Sequence, residues 1–98
     1  MTANTLNIEQ LRARYLRSLA DRVAGLKLAL DAKRYDEIRA GAHQLRGSGR
    51  SYGFTAVSEI AADIEQACDD GQTTLIRSHL AALEAEFISL RGALPGAQ

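Results

Sequence analysis

Residues 7–32 read NIEQLRARYLRSLADRVAGLKLALDA, and the placement of their apolar side chains decides the fold class. Ile8, Leu11, Tyr15, Leu19, Val23, Leu26 and Leu30 follow one another at spacings of 3, 4, 4, 4, 3 and 4. That pattern lays one stripe along an α-helix, whereas a half-buried strand alternates with period 2. The start is marked. Asn7 can accept from the backbone amide of Gln10 while the Gln10 side chain reaches back, a capping box, and Leu6 against Leu11 would add a hydrophobic staple. The helix is expected over 8–32, with Gly25 a mild interior weakness.

The same period recurs downstream. A short basic link, Lys33-Arg34, precedes a second helix over 35–50, whose apolar stripe is Ile38, Ala42, Leu45 and Gly49. Asp36 and Glu37 suit the positive end of its dipole. Glycines at 47, 49 and 53 weaken its second half, and Gly53 is the candidate C-terminal cap. A third helix is expected over 54–69, with Phe54, Val57, Ile60, Ala61, Ile64 and Cys68 inward, before the turn dipeptide Asp70-Gly71. Thr73 or Thr74 would then cap a fourth helix, in which Ile76, Leu80, Leu83, Phe87, Leu90 and Leu94 form a seam at spacings of 4, 3, 4, 3 and 4. Pro95-Gly96 ends it, and residues 95–98 are expected to fray. Short links make successive helices antiparallel. The expected fold is therefore all-α: an antiparallel up-down-up-down four-helix bundle forming a single domain over 1–98, with its core within about 6–94.

Composition agrees and excludes much else. Ninety-eight residues make one domain. A hydrophobic fraction of 46% argues against disorder, and one proline with five aromatics argues against a β-sandwich or barrel. One cysteine, Cys68, excludes an intramolecular disulfide and a metal site of several thiolates. The N-terminus lacks the charged and apolar regions of a signal peptide, and no run of about 18 apolar residues could span a membrane. A cytoplasmic location is expected. Twelve Lys plus Arg balance twelve Asp plus Glu, which argues against nucleic-acid binding driven by bulk charge.

The second helix carries an unusual outer face. At about 100° per residue, and with Arg39 as zero, Arg50 falls near 20°, His43 near 40°, Arg46 near −20° and Gly47 near 80°. The apolar stripe centres near −90°, so His43 points roughly 130° away from the core, among three arginines. Gly47, one turn beyond it, leaves one side of the imidazole open. An exposed neutral imidazole with guanidiniums nearby is a nucleophile suited to a phosphoryl group, whose oxygens the arginines would stabilise. The second histidine, His79, falls at the edge of the fourth helix's core stripe and is expected to be packed rather than functional. No metal site is expected, since no third ligand is placed beside the two histidines.

The run Ala42-His43-Gln44-Leu45-Arg46-Gly47-Ser48-Gly49-Arg50-Ser51-Tyr52-Gly53 resembles the signature of histidine-containing phosphotransfer (HPt) domains: His-x-Leu-Lys-Gly, a Ser- or Ala-rich pair, then Gly ten residues after the His. The match covers His43, Leu45, Gly47, Ser48 and Gly53. Those domains are four-helix bundles of about this length. The resemblance implies that His43 is phosphorylated at Nε2, that Arg46 in place of Lys supports the phosphoryl group, and that Gly47 gives a partner access. Gln44 stands at a variable position from which a polar side chain could help support the phosphoryl group; the helix wheel rather than the motif offers Arg50 as a further phosphoryl-supporting group and Arg39 for access and docking. Leu45, Ser48 and Gly53 belong to the structural part of the signature. Two departures are Arg46 for Lys, which keeps the charge but changes a point charge into a fork, and Phe54 where a small residue is common.

What the resemblance implies is a phosphocarrier in a multistep two-component phosphorelay. It would exchange a phosphoryl group between His43 and the aspartate of a response-regulator receiver domain, with a hybrid histidine kinase as the other partner. No cofactor is expected on this chain; Mg²⁺ would belong to the receiver. No ATP-binding glycine loop is present, so self-phosphorylation is not expected. The alternatives are a non-catalytic receiver-binding adaptor on the same fold and a bundle with an unrelated role, such as nucleic-acid contact or self-association. The neutral total also conceals a division. Residues 1–50 carry ten basic and five acidic residues, and residues 51–98 two and seven, which predicts a positive phosphoryl-facing side and a negative opposite side.

Overall fold

The computed structural model describes residues 7–93, which form four helices: α1 (Ile8–Asp31), α2 (Tyr35–Ser51), α3 (Thr55–Asp69) and α4 (Thr73–Ala93). The capping box at the start of α1 is complete. Asn7 Oδ1 accepts from the Gln10 amide at 2.8 Å, and Gln10 Oε1 accepts from the Asn7 amide at 3.0 Å. Leu6 of the expected staple, Leu94 of the seam and the expected fraying at 95–98 lie outside the described residues.

All three connections use one device. At the end of α1 the Arg34 amide donates to Ala29 and the Lys33 amide to Leu30; at the end of α2 Phe54 donates to Gly49 and Gly53 to Arg50; at the end of α3 Gln72 donates to Ala67 and Gly71 to Cys68. These are Schellman closures, which satisfy carbonyls a helix end would otherwise orphan and require one residue in the left-handed region. Gly53 (φ 83°) and Gly71 (φ 66°) meet that requirement without a Cβ penalty, while Lys33 (φ 59°) meets it with a side chain. Each closure reverses the chain, so every helix packs on its sequence neighbours and α4 closes on α1. The antiparallel up-down-up-down four-helix bundle follows.

The core departs from the expected stripes in instructive places. On α1, Ile8 is exposed and Leu11 half-buried, while Leu16 and Ala29 are buried. Ile8 is the first helical residue, and its side chain stays in solvent. On α3, Ile60 and Cys68 are only half-buried, whereas Ser58, Glu65 and Ala67 are buried. The buried face of α3 is thus turned toward α2 compared with the apolar stripe. Helix α4 begins at Thr73 itself, with the Ile76 amide donating to the Gln72 carbonyl, so neither threonine precedes the helix as a cap. His79 is half-buried, as its place on the stripe edge predicts. No helix among the described residues is long and apolar enough to cross a membrane.

The tightest seam joins α2 to α3. A Cβ built on Gly49 would stand 3.0 Å from the Ser58 amide nitrogen and 3.2 Å from the Phe54 carbonyl oxygen, two backbone atoms that cannot yield separately from their helix. Buried Ser58 donates to the Arg46 carbonyl at 2.6 Å and stitches the same seam. Gly49→Ala should therefore destabilise the bundle by about 1–3 kcal/mol through overpacking, despite the roughly 1 kcal/mol that alanine gains in an unhindered helix. A lower urea midpoint with an unchanged m-value would show it.

Candidate functional site

The α2–α3 seam sets what surrounds His43. The His43 side chain is 59% exposed, as the helix wheel predicts. Its ring is nevertheless tethered: Nδ1 lies 3.0 Å from Glu65 Oε2 on α3. Glu65 is buried, with its side chain only 8% exposed. A carboxylate accepts only, so Nδ1 carries the hydrogen and donates it to Glu65. Nε2 makes no hydrogen bond among the described residues. The tether thus leaves Nε2 as the ring nitrogen available to a partner, the one a nucleophilic imidazole uses.

A buried carboxylate demands compensation, because desolvating an ion costs several kcal/mol unless it is paired. Three side chains of α2 converge on Glu65. Besides His43, Arg46 Nη1 lies 3.1 Å from Oε1 and Arg39 Nη2 3.5 Å from Oε2. Arg46 is close enough for an ion pair but off the line of a hydrogen bond, so Oε1 is buried without an aligned donor. Arg39 is held more firmly from the other side, its Nε donating to Asp69 Oδ1 at 2.6 Å. That hydrogen bond and charge push the Arg39 guanidinium further above its ordinary value.

The remaining predicted residues are distributed as follows. A Cβ on Gly47 would meet nothing within 4 Å, so the surface one turn beyond His43 is open. Gln44 faces α1, where its Oε1 accepts from Arg22 Nη1 at 2.9 Å. Arg50 is exposed and pairs with no carboxylate among the described residues. Leu45 is fully buried. Ser48 Oγ lies 2.8 Å from the buried Tyr15 hydroxyl and ties α2 to α1. Tyr15 in turn stacks between Tyr52 and Phe54, with centroid separations of 4.8 and 5.4 Å. The Phe54 ring, the departure from the motif, also lies under Arg12 at 4.5 Å, so its bulk is absorbed by packing away from His43.

One expectation needs correction. The acidic second half of the sequence does not form an opposite side. Its helix α3 is the antiparallel neighbour of α2, and Glu65 and Asp69 neutralise Arg46 and Arg39 beside the histidine. The residue missed from sequence is Glu65. Its signal was a charged side chain four residues after Ala61 and eight after Val57, at a position where the buried face of α3 wants an apolar one.

With the geometry in place, the comparisons decide the family. The family model described as Hpt domain matches residues 10–93. The chain belongs to the Hpt domain family. No curated protein and no solved structure matches it. Hpt domains act in histidine phosphotransfer within phosphorelays, as phosphocarriers rather than kinases, and they interact with response-regulator receiver domains. The four-helix architecture of this Hpt domain agrees with that membership.

The Tyr15–Ser48 anchor yields a pH dependence. Burial raises the Tyr15 hydroxyl above its ordinary value, against a smaller opposing effect of the Ser48 hydrogen bond. The folded state therefore holds this proton more tightly than the unfolded chain does. The associated stability is intact below the ordinary tyrosine value of about 10 and is lost as pH rises through the higher folded value. Urea midpoints should fall with pH above about 10 more steeply in the wild type than in Tyr15→Phe, which lacks the titrating group.

Proposed function

We propose that this Hpt domain is a histidine phosphocarrier of a multistep two-component phosphorelay, in which His43 Nε2 exchanges a phosphoryl group with the aspartate of a receiver domain. One observation carries the reading: the exposed His43 ring is tied through Nδ1 to a buried carboxylate while Nε2 has no partner among the described residues, beside the open surface at Gly47. A surface histidine without such a tether rotates freely and shares its hydrogen between both nitrogens. Here orientation and tautomer are set before a partner arrives, which lowers the entropy cost of an in-line displacement.

In the forward step the Nε2 lone pair attacks phosphorus. The bond to the receiver's carboxylate oxygen breaks, and that carboxylate leaves with the electron pair. Mg²⁺ in the receiver would neutralise phosphoryl charge. On this chain Arg46 serves the same end: its ion pair with Glu65 Oε1 lacks an aligned hydrogen bond, so its fork can turn outward to the phosphoryl oxygens. Arg50 supplies a second cation, which its position seven residues beyond His43 and the N-terminal tilt of helical side chains bring back toward the ring. Gln44 is drawn toward α1 by Arg22 and orients that guanidinium at the edge of the site. A hybrid histidine kinase would supply the phosphoryl group through its own receiver, since no ATP-binding glycine loop stands in the sequence.

A receiver would approach over α2 and the α1–α2 groove, where Gly25 and Gly41 keep the surface low beside Arg22 and Leu26. Contacts of this kind are small and transient.

Incubation with a phosphorylated receiver domain should place acid-labile phosphate on the wild type and none on His43→Gln, with helicity unchanged. Label on the variant would overturn the assignment; binding without label on the wild type would make the chain an adaptor. Gly47→Ala should stabilise the fold by about 0.5–1 kcal/mol, because the site is open and helical. The same change should slow transfer about tenfold or more, because a methyl group there displaces the incoming surface.

A further inference from the structure

We infer that the end of the bundle where the start of α1, the end of α4 and the α2–α3 connection meet is a binding site for a small organic carboxylate with an apolar body. None of the residues that line it belongs to the His43 site, so it stands apart from the phosphocarrier reading.

Three side chains there offer donors that no acceptor meets. The Arg12 guanidinium lies 4.5 Å from the centroid of the Phe54 ring. Its Nε is buried without a hydrogen-bond partner, and Arg12 pairs with no carboxylate among the described residues. A desolvated donor on a charged group is costly to leave unmet, and a ligand oxygen would relieve it. The other two follow from the capping box. Asn7 Oδ1 and Gln10 Oε1 are both taken by backbone amides. What remains of each side chain is its NH₂ group, and neither makes a hydrogen bond among the described residues. One guanidinium and two amide nitrogens thus form a rim of donors, the complement of a carboxylate.

The same residues line a cavity of about 430 Å³, whose remaining walls are Ala13, Phe54, Leu90 and Ala93. That combination of an apolar hollow with a few convergent polar groups, at that volume, suits a small molecule. Phe54 is buried and stacked on Tyr15, so the ring that carries the guanidinium is itself held. The cation is therefore placed before a ligand arrives, which lowers the ordering cost of binding. Glu9 also lines the cavity, is exposed and makes no ion pair with Arg12. Its charge opposes an anion, which favours a monoanion over a phosphate or a dicarboxylate. The apolar walls favour a hydrocarbon body over an inorganic ion.

Hexanoate is the probe, added to the full chain and followed by backbone ¹H–¹⁵N spectra. Saturable shifts are expected in the first turns of α1, at Phe54 and in the last turn of α4, with a Kd of about 1 mM, a value in reach of so small a ligand. The His43 amide should not move. Hexan-1-ol, with the same body and no charge, should bind about tenfold more weakly, and hexanoate should lose about as much on Arg12→Gln, the cost of one charge-assisted contact. Glu9→Gln should tighten hexanoate by about twofold, the effect of one exposed like charge. Ala93→Phe, a change at an exposed position that fills the hollow, should abolish the shifts. Equal binding of hexan-1-ol, or an unchanged affinity in Arg12→Gln, would leave only an apolar groove and overturn the inference. Shifts that do not saturate would overturn it as well. So would nuclear Overhauser contacts from residues 94–98 into the cavity of the free protein, which would make the chain's own segment the occupant. If Arg12→Gln does not fold, the comparison of hexanoate with hexan-1-ol and the Ala93→Phe variant decide by the same outcomes.

Discussion

The close approach of α2 and α3 at Gly49 is the constraint from which the site follows. Only a residue without a side chain fits there, because a Cβ would stand 3.0 Å from the Ser58 amide nitrogen and 3.2 Å from the Phe54 carbonyl oxygen. Ser58 then locks the register by donating to the Arg46 carbonyl. With that register set, the antiparallel run of α3 carries Glu65 to the level of His43, and Asp69 to the level of Arg39. A wider seam would leave Glu65 in water and His43 untethered. Packing and chemistry are here the same fact seen at two points along one helix pair.

The buried carboxylate is the costly part of this arrangement. Its desolvation is offset by two arginines and an imidazole N–H, none of which is itself buried. The partners remain half in water, where they can be redirected. Arg39 is fixed by Asp69, whereas Arg46 has distance without alignment. The asymmetry fixes one arginine and leaves the other free to turn, which is what the proposed phosphocarrier role asks of Arg46. It also changes the electrostatic picture. The basic first half of the chain does not present a uniformly positive face; its charges near His43 are largely matched, and Arg50 and Arg22 remain at the margins.

Much of this was legible in the sequence, and the exceptions have physical reasons. The stripes of α2 and α4 and the capping box of α1 are local patterns, and local geometry alone decides them. The exposure of His43 and the openness at Gly47 follow from helix angle and from the absence of a side chain. Ile8 misled because periodicity gives the face of a helix and not how far along it that face is covered. Lys33 gave no sign of its left-handed turn, since a lysine there is imposed by chain closure rather than preferred. Glu65 was hidden for a different reason. It lies 22 residues from His43, and its role exists only across the α2–α3 seam. A charge on the buried side of a helix was the one available hint. The division of charge between the halves of the chain was real as arithmetic but wrong as geometry, because halves of a sequence are not sides of a bundle.

The central claim is that the α2–α3 seam presents Nε2 of His43 as a nucleophile by holding the hydrogen on Nδ1. Long-range ¹H–¹⁵N correlation of the imidazole ring in the unphosphorylated protein near neutral pH reads this directly. The account predicts that the neutral His43 ring is the Nδ1–H tautomer, with that hydrogen bound to Glu65. A neutral ring carrying its hydrogen on Nε2, or the averaged signals of a freely exchanging imidazole, would contradict it.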